Sequence, residues 1–113
     1  MSNKILNYST CTKICISTKF SNSNNFGRQL ETVWSLRDAI YGEVAGDEFG
    51  YAVSMSDDGL VLAVGARLND GNDGNNYSNF GSVRVYEWDG ASYVKRGIDI
   101  DGEAAGDRSG HSV

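Results

Sequence analysis

Proline is absent from the 113 residues, cysteine occurs only twice and histidine once. Without proline no turn has its φ pre-set, so chain reversals fall to Asp, Asn and above all to the 14 glycines. Cys11 and Cys15 stand four apart, and His111 is the sole further nitrogen ligand. A zinc site normally asks for four such ligands at suitable spacing, so a zinc finger is excluded and two free thiols are expected. No apolar run reaches eighteen residues, which excludes a membrane-spanning helix within this sequence. Ile5, Leu6, Ile14 and Ile16 are too interrupted by polar residues to make the apolar centre of a signal peptide.

Acid is missing from the first thirty residues, which carry Lys4, Lys13, Lys19 and Arg28, a net +4. From Glu31 onward there are six basic and fifteen acidic residues, a net −9. An acidic, glycine-rich body lacks the clustered Lys and Arg that bind a phosphate backbone, so nucleic acid is excluded as a partner. Residues 1–30 are polar and turn-forming, with no sustained apolar period, and are expected to form an unstructured leader. Their basic, hydroxyl-rich composition also fits a transit-type segment.

What the sequence does contain is a repeat. GEVAGDEFGYAV, from Gly42 to Val53, returns as GEAAGDRSGHSV from Gly102 to Val113, with seven of twelve positions identical at an offset of 60 residues. A fixed period of that size marks a repeat architecture, in which each unit leaves apolar faces for a neighbour to cover. Between the copies, alternation and turn chemistry predict four strands near 50–56, 60–66, 82–88 and 92–98. Asp57-Asp58-Gly59 supplies the first reversal, and Asp89-Gly90 predicts a two-residue hairpin turn. Leu60–Ala66 is a continuous apolar run suited to a strand covered on both faces, and Gly65 and Ala66 allow another backbone to come close. In 82–88, Val83 and Val85 point one way and Arg84, Tyr86 and Trp88 the other. Two aromatic groups on that second face require a packing partner. Four short antiparallel strands per period describe a propeller blade better than a sandwich, so the fold class is all-β: a four-stranded antiparallel blade of a partial β-propeller behind a disordered leader. The expected organisation is a leader over 1–30, the last strand of a preceding partial blade over 31–41, one blade over 42–101 and the start of the next repeat over 102–113.

Phe49-Gly50, Gly65-Ala66, the GSVRVYEWDG strand and hairpin, and IDIDGEAAGD together resemble the FG-GAP repeat family, known from integrin α-subunit propellers. Arg67 stands where proline usually follows Gly-Ala, and Ser109-Gly110 replaces the second Phe-Gly. The resemblance implies seven blades in integrin-like members and an extracellular or cell-surface setting. It often implies a calcium ion in a D-x-D-x-D-G loop as well. Here that connection is only Ser56-Asp57-Asp58-Gly59, so no family calcium ligand carries over.

A separate calcium hypothesis falls on the loop Leu68–Asn79, where Asn69, Asp70, Asn72 and Asp73 offer two carboxylates and two amide oxygens. The competing reading is a solvated turn. Glu43, Asp47, Glu103 and Asp107 recur with the period and read as turn braces. His111 aligns with Tyr51 and reads as a strand residue facing a neighbouring blade, while Tyr86, Trp88 and Tyr93 read as packing between blades, with a carbohydrate-stacking patch as the alternative. No catalytic constellation emerges. The expected function is a non-catalytic interaction module, a fragment of an FG-GAP propeller that binds protein or glycan in adhesion, with no cofactor required and with further blades supplied by the same or another chain. The alternatives are a propeller-hosted hydrolase or lyase whose catalytic groups lie elsewhere, or a truncated gene product without its own function.

Overall fold

The computed structural model describes residues 2–7, 13–23, 30–71 and 78–113. Strands β1 (Ser2–Asn7), β2 (Lys13–Ser23) and β3 (Leu30–Tyr41) form an antiparallel sheet in the order β1-β2-β3. Strands β4 (Phe49–Met55), β5 (Val61–Ala66), β6 (Ser82–Trp88) and β7 (Tyr93–Lys95) form a second antiparallel sheet in the order β4-β5-β6-β7. A short β8 (Ile100–Asp101) returns to β6. There is no helix among the described residues.

The four strands expected between the repeat copies all form. Where the fourth was expected to run to residue 98, β7 stops at Lys95; Arg96 N–H still donates to the Val85 carbonyl of β6 at 2.7 Å, and Gly97 then turns left-handed at φ 75° and ends the pairing. Asp101 and Ile100 then rejoin β6 opposite Ser82 and Val83. The Asp89-Gly90 reversal is a four-residue loop rather than a two-residue turn, since Trp88 pairs with Tyr93. The Asp89 carboxylate accepts bonds from the backbone N–H groups of Ala91 and Ser92, both at 2.8 Å, which holds the wider loop closed.

The expectation of an unstructured leader is corrected over 2–7 and 13–23, which are strands; the rest of 1–29 lies outside the described residues. Alternation explains the strand at β2. Ile14 and Ile16 lie on one face and are completely buried, and both are β-branched residues suited to a pleated surface. Cys15 is a buried free thiol, and Cys11 lies outside the described residues.

The two sheets pack face to face. Ile14, Ile16 and Ile40 from the first meet Phe49, Leu62, Val64, Ala66, Tyr86 and Tyr93 from the second, with Val53, Met55 and Trp88 at the margin. This is the partner that the Tyr86–Trp88 face required. Each completely buried aliphatic side chain, such as Leu62 or Val64, stabilises the fold by about 1.5–3 kcal/mol. Polar contacts fix the register of the packing. The Tyr93 N–H donates to the Asp38 carboxylate at 2.7 Å, and the Arg37 guanidinium lies 3.8 Å from the Trp88 ring centroid. The Tyr93 hydroxyl donates to the Gly59 carbonyl at 2.6 Å from a buried position. Tyr93→Phe is expected to lower stability by about 1–2 kcal/mol in urea unfolding, because it strands a buried carbonyl while leaving the ring packing unchanged.

Candidate functional site at the repeat junction

The sequence repeat is also a conformational repeat. Gly46, Glu48 and Gly50 have φ of 100°, 56° and 87°, and sixty residues later Gly106, Arg108 and Gly110 have 83°, 53° and 86°. The internal bonds recur as well. Asp47 N–H donates to the Val44 carbonyl at 3.3 Å and Asp107 N–H to that of Ala104 at 3.1 Å, while Tyr51 N–H donates to Glu48 at 2.9 Å and His111 N–H to Arg108 at 3.2 Å. Side chains at Glu48 and Arg108 are held in a region that L-residues seldom adopt, so the alternating left-handed code is imposed by the junction.

The second copy docks along the start of β6. Gly102, Gly106, Arg108 and Ser109 donate their N–H groups to the carbonyls of Gly81, Ser78, Asn79 and Phe80 at 3.0, 2.7, 3.2 and 2.9 Å. Gly110 lies directly on Gly65, where any Cβ would overlap the Gly110 carbonyl. The close approach expected at Gly65-Ala66 is thus made by the glycine of the second copy's Phe-Gly position. His111 and Tyr51, aligned by the repeat, stand with ring centroids 5.2 Å apart.

Beside the first copy lies a cleft of about 200 Å³ lined by Glu43, Val44, Asp47, Asn69, Asp70, Gly71, Asp99 and Asp101. Most of its polar groups have structural partners. Asn69 donates its side-chain N–H to the Asp47 carboxylate at 3.0 Å, and its amide oxygen accepts from Gly71 N–H at 2.9 Å. The Asp70 carboxylate accepts from Asn79 N–H at 3.2 Å. Below them the buried Arg84 donates to Asp99 at 2.9 and 2.7 Å and pairs with Glu43, while Lys95 pairs with the other Asp99 oxygen. Burial pushes the Asp47 carboxyl up, the Asn69 bond counters it, and the nearby Asp70 and Glu43 charges push it further up. A raised folded value means that Asp47 contributes stability fully present below the ordinary carboxylate value and lost as pH rises through its folded value. Asp47→Asn keeps the acceptor for Asn69 and removes the charge. Stability at neutral pH is therefore expected to hold or rise by up to about 1 kcal/mol, and thermal melts should lose part of their pH dependence above the carboxylate range.

Of the residues considered for calcium, Asn69 and Asp70 meet at the cleft, while Asn72 and Asp73 lie outside the described residues. Asn69 and Asp70 each commit an oxygen to a backbone N–H, and no group of three or more His, Cys, Asp or Glu suited to a metal ion exists among the described residues. Tyr86 and Tyr93 are buried and Trp88 packs on Tyr93 at 5.0 Å, so these rings serve the packing between sheets. Asp107 braces its own turn, accepting from Ala104 N–H at 2.8 Å, whereas the Asp47 carboxylate ties its turn to Asn69 and Glu43 reaches Arg84. Sequence reasoning missed Arg84, Asp99 and Asp101. The available signal was Arg84 itself, a cation on the face of β6 that also carries Tyr86 and Trp88.

No curated protein and no solved structure matches the chain. A family model described as FG-GAP repeat matches residues 42–86, from the junction glycine to the buried tyrosine of β6. With four antiparallel strands, a conformational period of sixty and a glycine-on-glycine junction around it, the chain carries an FG-GAP repeat over this segment, a module of the β-propeller type.

Proposed function

We propose that the chain is a non-catalytic interaction module that binds a protein or glycan ligand through the loops of the repeat junction. The observation that carries this reading is the acidic cleft, in which loops from the first copy, the 68–71 segment and the 99–101 segment converge on one open surface. Carboxylates in such a place accept hydrogen bonds from sugar hydroxyls and pair with lysine or arginine side chains. The engagement of Asp47, Asp70 and Asp99 in bracing supports a rigid binding surface over acid–base chemistry, because a group held by its neighbours is preorganised for contact.

Nuclear magnetic resonance titration of the labelled chain with a lysine-rich peptide and, separately, with a neutral oligosaccharide tests the reading. One of the two should shift the amides of Asn69, Asp70, Gly71 and Asp101, with weaker binding in Asp70→Asn and Asp101→Asn. Peptide binding should also weaken with salt. No shift with either probe, together with turnover of a chromogenic ester or glycoside, would overturn it.

A further inference from the structure

The loop that supplies Asn69 and Asp70 to the acidic cleft is tied to both repeat junctions. Toward the first, the Leu68 N–H donates to the Asp47 carbonyl at 3.1 Å and the Asn69 side chain to the Asp47 carboxylate at 3.0 Å. Toward the second, the Asn69 carbonyl accepts from Gly81 N–H at 2.9 Å and the Asp70 carboxylate from Asn79 N–H at 3.2 Å. Asn79 and Gly81 thus face both ways. Their N–H groups hold the cleft loop, while their carbonyls accept from Arg108 and Gly102 of the second junction at 3.2 and 3.0 Å.

Backbone conformation makes this strip depend on both sets of bonds. Asn79 and Gly81 have φ of 46° and 73°. A residue with a side chain persists in the left-handed region when its surroundings over-determine it, and Asn79 is fixed by Asp70 from one side and Arg108 from the other. The packing is equally close. A Cβ on Gly81 would overlap the backbone of Arg108 and Ser109, and one on Gly102 would overlap the Phe80 carbonyl. β8 adds a further link, since Asp101 lines the cleft, pairs with Ser82 and is followed directly by the Gly102 that bonds to Gly81.

We infer that docking of residues 102–110 on the 78–81 strip holds the acidic cleft in its binding geometry, so that docking of the second junction and occupancy of the cleft favour each other. The two states are a second junction that is docked and one that has left the strip. When it leaves, Asn79 and Gly81 lose the bonds at their carbonyls that fix their left-handed backbone, and Asn69, Asp70 and Asp101 lose their set positions. A ligand that bridges Asp70 and Asp101 binds the docked state more tightly, and by linkage it favours docking by the same factor. A blade then presents its cleft once the next repeat has docked on it, a nearest-neighbour effect natural to repeat proteins. The cleft's role as a binding surface rests on the function proposed above; the structural coupling of loop, strip and junction does not.

Amide hydrogen exchange in the full chain tests the coupling from each side. Gly110→Ala acts on the second junction, where a Cβ would overlap the Ser82 carbonyl oxygen. It should speed exchange at Gly71, Asn79 and Gly81 by at least about fivefold, with Leu62 and Val64 in β5 unchanged. Asp70→Ala acts on the cleft side and should speed exchange at Gly106, Arg108 and Ser109 by a similar factor. If either variant leaves the far amides at wild-type rates, the inference is overturned. Should Gly110→Ala fail to fold, Asp70→Ala decides, since it changes a loop side chain outside the strands. The lysine-rich peptide and the neutral oligosaccharide then separate coupling from function. Whichever binds the wild type should bind Gly110→Ala at least about fivefold more weakly, and equal affinity overturns the inference. If neither probe binds the wild type while the far amides respond to both variants, the coupling stands and the binding role of the cleft falls.

Discussion

Gly65→Ala is expected to undock residues 102–113 from the blade. A Cβ at position 65 overlaps the carbonyl oxygen, carbonyl carbon and Cα of Gly110, all of them backbone, so no side chain can rotate away to make room. Gly65 cannot retreat either, because it is paired on both sides, with Ala52 of β4 and Val83 of β6. Overpacking a fitted contact costs about 1–3 kcal/mol, and a contact made only of backbone belongs at the upper end. The loss should appear locally. In hydrogen exchange the amides of Gly102, Arg108 and Ser109 should lose their protection, while Leu62 and Val64 in β5 keep theirs. Gly90→Ala is the control, since Gly90 also has positive φ, at 105°, but nothing within 4 Å. It should lower stability through backbone strain alone and leave the 102–113 amides protected.

Arg84→Ala should cost about 3 kcal/mol, the largest effect of any single charge removal among the described side chains. Arg84 is 8% exposed and its guanidinium makes two bonds to Asp99 while pairing with Glu43. Removing one partner of a buried ion pair leaves the other charge uncompensated, which typically costs about 3–5 kcal/mol. The lower end applies because Glu43 reaches solvent and Lys95 still faces Asp99. The pH dependence identifies the cause. Burial favours the neutral acid of Asp99, but Arg84 and Lys95 outweigh it and hold the carboxyl below its ordinary value. A depressed carboxylate contributes stability that is present above the unfolded value, about 3.9, and is lost as pH falls through the folded value. The wild type should therefore weaken on acidification below that range, and Arg84→Ala should show a shallower acid limb.

Much of the blade was legible because its signals are local. Asp57-Asp58-Gly59 and Asp89-Gly90 announce reversals, β6 alternates Val with Arg and Tyr, and Gly42–Val53 returns sixty residues later. Even the presence of a packing partner followed from placing Tyr86 and Trp88 on one face. What hid was the partner itself. Ile14 and Ile16 are too few to set a period, and they are stabilised by Leu62, Val64 and Tyr86, which are remote in sequence. The acidic cleft hid for a related reason. Asp101 is the repeat counterpart of Tyr41, and Asp99 of Ala39, so neither recurs, and they meet Glu43 and Asp70 only in the folded chain, where the connection from β7 to β8 brings them to the cleft. Repeat reasoning finds what successive copies share and passes over what distinguishes one junction from the next.

The central claim is that residues 102–113 dock on the preceding blade as the start of a second repeat, built like residues 42–53. Site-resolved amide hydrogen exchange in the unmodified chain tests it most directly. The amides of Gly102, Gly106, Arg108 and Ser109 donate to carbonyls of residues 78–81, so they should exchange far more slowly than a free coil and in step with the β5 and β6 amides. Exchange of all four at free-coil rates, with β5 and β6 still protected, would contradict it.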